Sequence, residues 1–373
     1  MRSLAIESLS VRGFRNLVAV DVELGPRLNV FSGDNGQGKT SLLEATYVLA
    51  TSRSFRTSRM NEVVCTSAEA ASVRAVIADG EEKREQSVGL KPGARVVRID
   101  GKRPPSLAAY AVATPVVAFH PGAVALSSGS SAERRKLLDR VALYASPSSL
   151  ADAEAFSKAI RARQRVLEVR GEGALDLQHW EELIVRHGLA LSEARERAAA
   201  NLLPRAVVAF SRLGPAGVSL QGRYVRGGPA EAEAFRAALE GGRKRDRSRG
   251  SASVGPHRDE LALELGGRAV RGMASQGQHR MVVLALELAE IEVVAERRDA
   301  RPILLLDDVS SELDQARTAS LFENLREERG QVLLTTTRPE LIEGGLSAME
   351  ERKDFSVVGG RIEGLTRGVK RGV

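Results

Sequence analysis

The chain has 373 residues, a formal net charge of +7 and a sequence pI near 9.8, which leaves room for one large domain or two ordinary ones. Its 43% hydrophobic content supports a sizeable core, its single cysteine, Cys65, excludes an internal disulfide and fits a reducing cytoplasm, and no apolar run of about 18 residues provides a membrane span or a signal core. The basic balance suits a polyanion or an ordinary basic surface, while 4% aromatics argue against a base-stacking platform for single strands.

The first stretch reads as β-rich. Val18, Val20, Val22 and Leu24 alternate with Asp21 and Glu23, and residues 28–31 form an apolar run. Residues 41–50 follow as a helical pattern, and 72–78, 95–100 and 116–119 read as further strands, with Asp100-Gly101 as a turn. Residues 132–210 are helical in pattern. Gly227-Gly228-Pro229 breaks the chain, a short helix runs to Leu239, and residues 241–250 read as a mobile basic loop, either solvated or in contact with DNA. The last third returns to α/β. A strand at 261–265 precedes an amphipathic helix at 278–298, an apolar strand at 303–306, a helix at 313–329 and a buried strand at 332–334. The expected organisation is a discontinuous head, residues 1–130 and 251–373, with a helical insertion at 131–250.

Three motifs carry chemistry. Gly33-Asp34-Asn35-Gly36-Gln37-Gly38-Lys39-Thr40 matches GxxxxGK[ST] without mismatch, between a strand and a helix. Glycines there turn backbone N–H groups toward an anion, and the helix N-terminus adds its dipole. The pattern predicts a nucleoside triphosphate, ATP, with Mg2+. Residues 33–41, Ser41 included, cradle it, Lys39 reaches the β/γ-phosphates and Thr40 binds the metal. Ile303-Leu304-Leu305-Leu306-Asp307-Asp308 is a strand ending in two carboxylates. Asp307 is expected in the metal shell, and Asp308 is the candidate catalytic residue that orients or deprotonates the attacking water. Ser275, with Gln278 three residues on, is a capping-box pattern before an apolar-periodic helix. Together with Gln276 and Gly277 it resembles the signature motif of ABC-type ATPases, which faces the γ-phosphate held by a partner subunit.

Further stretches bring the resemblance close. Ser54-Phe55-Arg56, Phe119-His120-Pro121, Glu133-Arg134-Arg135-Lys136-Leu137-Leu138-Asp139, Gly255-Pro256-His257-Arg258-Asp259 and Val309-Ser310-Ser311-Glu312-Leu313-Asp314 are similar to elements of the RecF recombination-mediator family. The resemblance spans nearly the whole chain. It implies an α/β P-loop NTPase head of ABC/Rad50 type, mixed sheets with helices, carrying an inserted all-helical lobe. It implies a cytoplasmic DNA repair and replication protein at gapped or stalled sites, cooperation with RecR and RecO, RecA loading, an SOS role, an ATP-dependent homodimer and slow, DNA-stimulated hydrolysis. It also places Arg15 and Asn16, with Arg12, near ribose and adenine, unless they are solvated turn residues. Arg53, Arg56 and Arg59 touch phosphodiesters or form an exposed basic face. His257 and Arg258 are expected to grip the insertion to the head, and Cys65 to be buried and inert.

The chain also departs from the family pattern. Gly122-Ala123 follows Pro121 where relatives often carry acids. No glutamine lies between Gln86 and Gln164, so His120 or a neighbour stands in for the glutamine loop. Thr335-Thr336-Thr337 occupies the place of a switch histidine, and Asp308 that of a glutamate. The peripheral ATPase of a membrane transporter is the alternative with the same motif order; it calls for that switch histidine.

Overall fold

The structure, a computed structural model, describes residues 2–215, 217–308, 330–346 and 351–365. The motif from Val309 to Asp314 and the helix expected at 313–329 lie outside the described residues. The chain divides into two compact units, Met1–Ala123 with Val294–Val373, and Val124–Val293.

The first unit holds two sheets. One, with order β2-β1-β4-β5-β6, is an antiparallel sheet of β1 (Leu4–Phe14), β2 (Leu17–Glu23), β4 (Ala71–Asp79), β5 (Glu82–Lys91) and β6 (Ala94–Ile99). Asp100 and Gly101, both at positive φ, make the tight turn expected of that dipeptide. The other sheet has order β14-β13-β3-β12-β11-β7, built from β3 (Leu28–Ser32), β7 (Val116–Phe119), β11 (Ile303–Asp307), β12 (Val332–Thr336), β13 (Arg352–Val358) and β14 (Arg361–Leu365). Its strands pair in parallel except for the β13–β14 hairpin.

Between the sheets runs α1 (Lys39–Thr51). Leu42, Leu43, Val48 and Leu49 join one core with Ile6, Val11, Val73 and Val88 of the first sheet and Phe31, Leu305 and Leu333 of the second. α1 is buried over most of its length, and β3, β11 and β12, covered on both faces, are buried and mainly apolar, with Asn29, Asp307, Thr335 and Thr336 as their buried polar residues. The strand between the phosphate-loop strand and the acid-bearing strand is β12, so the carboxyl ends of β3 and β11 flank it.

The second unit is mainly helical, with α4 (Ser131–Ala145), α5 (Ser148–Arg170), α6 (Leu177–Leu213), α7 (Ala232–Arg249) and most of α8 (Gln276–Arg298). The insertion expected at 131–250 is not wholly helical: it also contains a strand. Leu220–Val225 forms β8 and pairs antiparallel with β9 (Glu260–Leu265), which pairs in turn with β10 (Arg268–Ala269). Alternation of Leu220, Gly222 and Tyr224 opposite Leu265, Leu263 and Leu261 favours the sheet, and this pairing draws β9 into the second unit.

Residues 241–250 are not a loop: they complete α7, which closes at Gly250 in the left-handed conformation. Two glycines inside the helix cost propensity, but Gly242 is buried and Asp246 is held by buried Arg163, so tertiary packing overrides it. His257 and Arg258 bond to the Ala252 carbonyl oxygen, within the same unit. Cys65 is half-buried rather than buried, and the Ser67 hydroxyl 3.2 Å away draws its thiol below its ordinary value.

Candidate functional site

The loop between β3 and α1 has the backbone its glycines permit. Gly36 and Gly38 take φ of 80° and 112°. A Cβ at Gly38 would press on Leu17, whereas Gly36 faces open space, so its requirement is conformational. Lys39 is only 7% exposed and donates to the carbonyl oxygens of Gly33 (2.6 Å) and Asp34 (2.8 Å). Burial pushes its ammonium down from the usual lysine range, against the pull of Asp308, Asp307 and Asp34.

Thr40 donates its hydroxyl to Asp307 Oδ1 at 2.9 Å, and Thr335 of β12 donates to the same oxygen at 2.8 Å. Burial raises Asp307 above the ordinary carboxylate range, opposed by the Thr335 and Thr40 hydroxyls and the Arg56 charge. Asp308 lies at φ 51°, its backbone N–H bonded to Thr335. The phosphate loop, the metal-shell candidates Thr40 and Asp307, and Asp308 therefore meet at the carboxyl ends of β3, β12 and β11. A hydroxyl and a carboxylate are hard oxygen donors, and a buried carboxylate with a raised pKa gains from a nearby cation, so this donor set fits Mg2+.

The remaining expected residues fall in different places. Asn16 donates to the Gly36 carbonyl at 3.2 Å, bracing the loop from the β1–β2 turn. Arg15, at φ 54°, forms a bidentate pair with Glu44 of α1 at 3.0 and 2.8 Å and also donates to the Glu62 carbonyl. Arg12 bonds the Val20 carbonyl and Asp21. Arg56 donates to Glu44 at 3.1 Å, while Arg59, 79% exposed, has only a long pair with Glu62 at 3.6 Å. Arg53 is exposed. In the second unit Ser275 and Gln278 make the reciprocal cap: Ser275 N–H donates to Gln278 Oε1 at 2.8 Å and Gln278 N–H to Ser275 Oγ at 3.3 Å. Ser275 and Gln276 are exposed at the start of α8, followed by half-buried Gly277.

Sequence reasoning missed two supports. Glu44, fully buried, collects Arg15, Arg56 and the Ser54 hydroxyl (2.6 Å) one turn beyond Thr40. The single acid of α1, set between Leu43 and Ala45, is the signal that marks it. The Gly359-Gly360 turn between β13 and β14 donates both backbone N–H groups to Gln37, at 2.6 and 2.9 Å. The Gly-Gly pair between alternating runs is the sequence sign of that hairpin. His120 follows Phe119, which pairs with Leu306, so it stands level with Asp307 and stacks on Phe55 at 4.6 Å.

The RecF/RecN/SMC N terminal domain family matches residues 5–351. The DNA replication and repair protein RecF of Anaeromyxobacter sp. (strain Fw109-5) is 39% identical, covering 96% of this chain and 98% of its own. The chain belongs to the RecF family. RecF of Myxococcus xanthus (strain DK1622) is 36% identical over 97% of each chain. A solved structure of the recombination mediator protein RecF-ATP in the RecFOR pathway superposes with TM-score 0.87 at 27% identity, over 98% of both chains. The Smc head domain from Pyrococcus furiosus, with its extended coiled coil, aligns with TM-score 0.55 at 16% identity, a likeness of fold. The fold is the ABC-type P-loop ATPase head of this superfamily, with its insertion. Among the described residues no helix is long and apolar enough to cross a membrane.

Proposed function

We propose that this RecF-family chain is an ATP-binding DNA repair and replication protein that acts as an ATP-gated, dimerising DNA clamp. It works at gapped or stalled replication sites in the RecFOR recombination pathway, with RecR and RecO as partners, and supports RecA loading and SOS induction. The observation that carries the reading is the convergence of Lys39, Thr40 and Asp307 beside a glycine loop at the end of a buried parallel strand.

Residues 33–41 cradle the triphosphate with backbone N–H groups. Lys39 exchanges two carbonyl partners for phosphate oxygens, a gain in charge-assisted bonding. Thr40 and Asp307 would hold Mg2+, which would supply neutralisation of phosphate charge. Asp308 orients the attacking water in a slow hydrolysis that serves as a switch. A second copy closes the site with the exposed Ser275 at the start of α8, so ATP binds the paired state more tightly and shifts the equilibrium toward it. Arg53 and Arg59, both exposed in the first unit, offer their charges to DNA phosphates; Arg56 serves the Glu44 cluster.

The test is nucleotide binding and sedimentation of wild type, Lys39→Met and Ser275→Arg with ATP and Mg2+. Lys39→Met loses nucleotide, and Ser275→Arg keeps nucleotide but stays monomeric. ATP-dependent dimers in both variants would refute the proposal.

A further inference from the structure

The five cations at residues 243–249 acquire fixed positions once α7 is a helix. Phe235, Leu239, Gly242 and Asp246 form its buried side, with Phe235 and Leu239 packed against Phe156 and Ile184. Fully buried Arg163 donates to Asp246 (2.9 Å), to Glu181 (2.9 Å) and to the Leu239 carbonyl (2.7 Å). Arg243 donates to both oxygens of Glu181, at 3.0 Å to Oε1 and 2.5 Å to Oε2. Two cations and two carboxylates thus neutralise one another inside. A one-residue rotation of α7 would part Asp246 from Arg163 and Arg243 from Glu181, so this quartet fixes which residues face outward.

Lys244, Arg245, Arg247 and Arg249 face outward and are exposed. Lys244 and Arg249 have no hydrogen bond or ion pair among the described residues, Arg245 donates only to the Ser253 hydroxyl at 2.7 Å, and Arg247 has a long 3.7 Å pair with Glu172. The helix dipole favours cations in the last turn, which accounts for Arg247 and Arg249. It does not account for like charges at Lys244 and Arg247 or at Arg245 and Arg249, which repel at three- and four-residue spacing.

We infer that this outer face of α7 is a docking surface for the phosphodiester backbone of duplex DNA, an inference that rests on the DNA-binding reading above and adds a second-unit surface to it. Seven helical residues span roughly 10 Å, over which a duplex presents about six phosphates. No aromatic residue lies within 243–249, so the face offers charge without base stacking, which suits a duplex better than a single strand.

The experiment measures binding of a fluorescent duplex of mixed sequence, with ATP, across about 50 to 200 mM salt. The triple variant Lys244→Ala/Arg245→Ala/Arg249→Ala is compared with wild type. The expected result is a salt slope shallower by about 2 to 3 and affinity lowered roughly a hundredfold near 100 mM salt, with nucleotide binding and melting temperature unchanged. A variant that keeps the wild-type slope and affinity overturns this surface and leaves the proposed function standing; the cations would then serve an acidic protein partner. A wild type that binds no duplex at any salt overturns both.

Discussion

Replacing Glu44 tests whether the phosphate-loop helix is fastened through one buried carboxylate. Glu44 accepts two bonds from Arg15, one from Arg56 and one from Ser54, and is itself fully buried. In Glu44→Ala the Arg15 guanidinium, 21% exposed, loses its counter-charge, and so does Arg56, 44% exposed. Breaking a buried pair from one side costs about 3–5 kcal/mol. Partial exposure lets water reach both arginines, which puts the expectation near the lower bound, about 3 kcal/mol. For a unit of this size that lowers the melting temperature by roughly 6–12 °C. Glu44→Gln restores little, because its amide offers one acceptor oxygen and turns a donor toward a guanidinium. Arg56→Ala removes the single, more exposed bond and costs about 0–1 kcal/mol. Calorimetric or dichroism melts of the three variants check the ranking. If Glu44→Ala melts within a degree of wild type, or Arg56→Ala is the more damaging, the carboxylate is not the fastening point.

Three more expectations concern other parts of the molecule. Gly360 sits at φ 76° with its Cβ position overlapping the Asn16 carbonyl oxygen, whereas Gly359 at φ 56° faces open space. Gly360→Ala should therefore deprotect the hairpin amides that bond Gln37 and weaken nucleotide binding, and Gly359→Ala should cost only about 1 kcal/mol; hydrogen exchange distinguishes them, and equal effects would count against the steric argument. Arg163→Met strands Asp246 in the core and leaves Glu181 to Arg243 alone, so denaturant unfolding of the second unit should show a loss of about 3–5 kcal/mol. Asp307, raised above its ordinary value by burial, holds its proton more tightly when folded, so its contribution is full below the ordinary carboxylate range and is lost as pH rises through the raised value. Asp307→Asn should then be at least as stable as wild type at neutral pH without nucleotide while losing the stabilisation conferred by ATP and Mg2+; pH-dependent melts with and without them decide, and undiminished stabilisation removes Asp307 from the metal shell.

Local pattern made part of the candidate site legible. The loop from Gly33 to Thr40 is contiguous, Asp307 ends an apolar run, and Ser275 lies three residues from the glutamine that caps it in return. The Arg15–Glu44 pair is not legible in the sequence, for a physical reason. The two residues are 29 positions apart, and no spacing rule joins a turn residue to the buried face of a later helix. In the sequence Thr335 marks only the absence of a histidine, whereas in the fold its hydroxyl holds Asp307 across a strand pair.

The residues by themselves determined the phosphate loop, its strand-to-helix setting, the acid-ended strand and the capped helix, because each depends on neighbours within a few positions. Only tertiary structure decided that residues 241–249 are helical, that Leu220–Val225 is a strand, and that Gly359 and Gly360 clasp Gln37. In each case the deciding energy comes from a distant partner: Arg163 for Asp246, β9 for β8, and the phosphate loop for the hairpin. Local propensity weighs tenths of a kcal/mol per residue, and a buried charge left unpaired costs several, so the distant partner prevails.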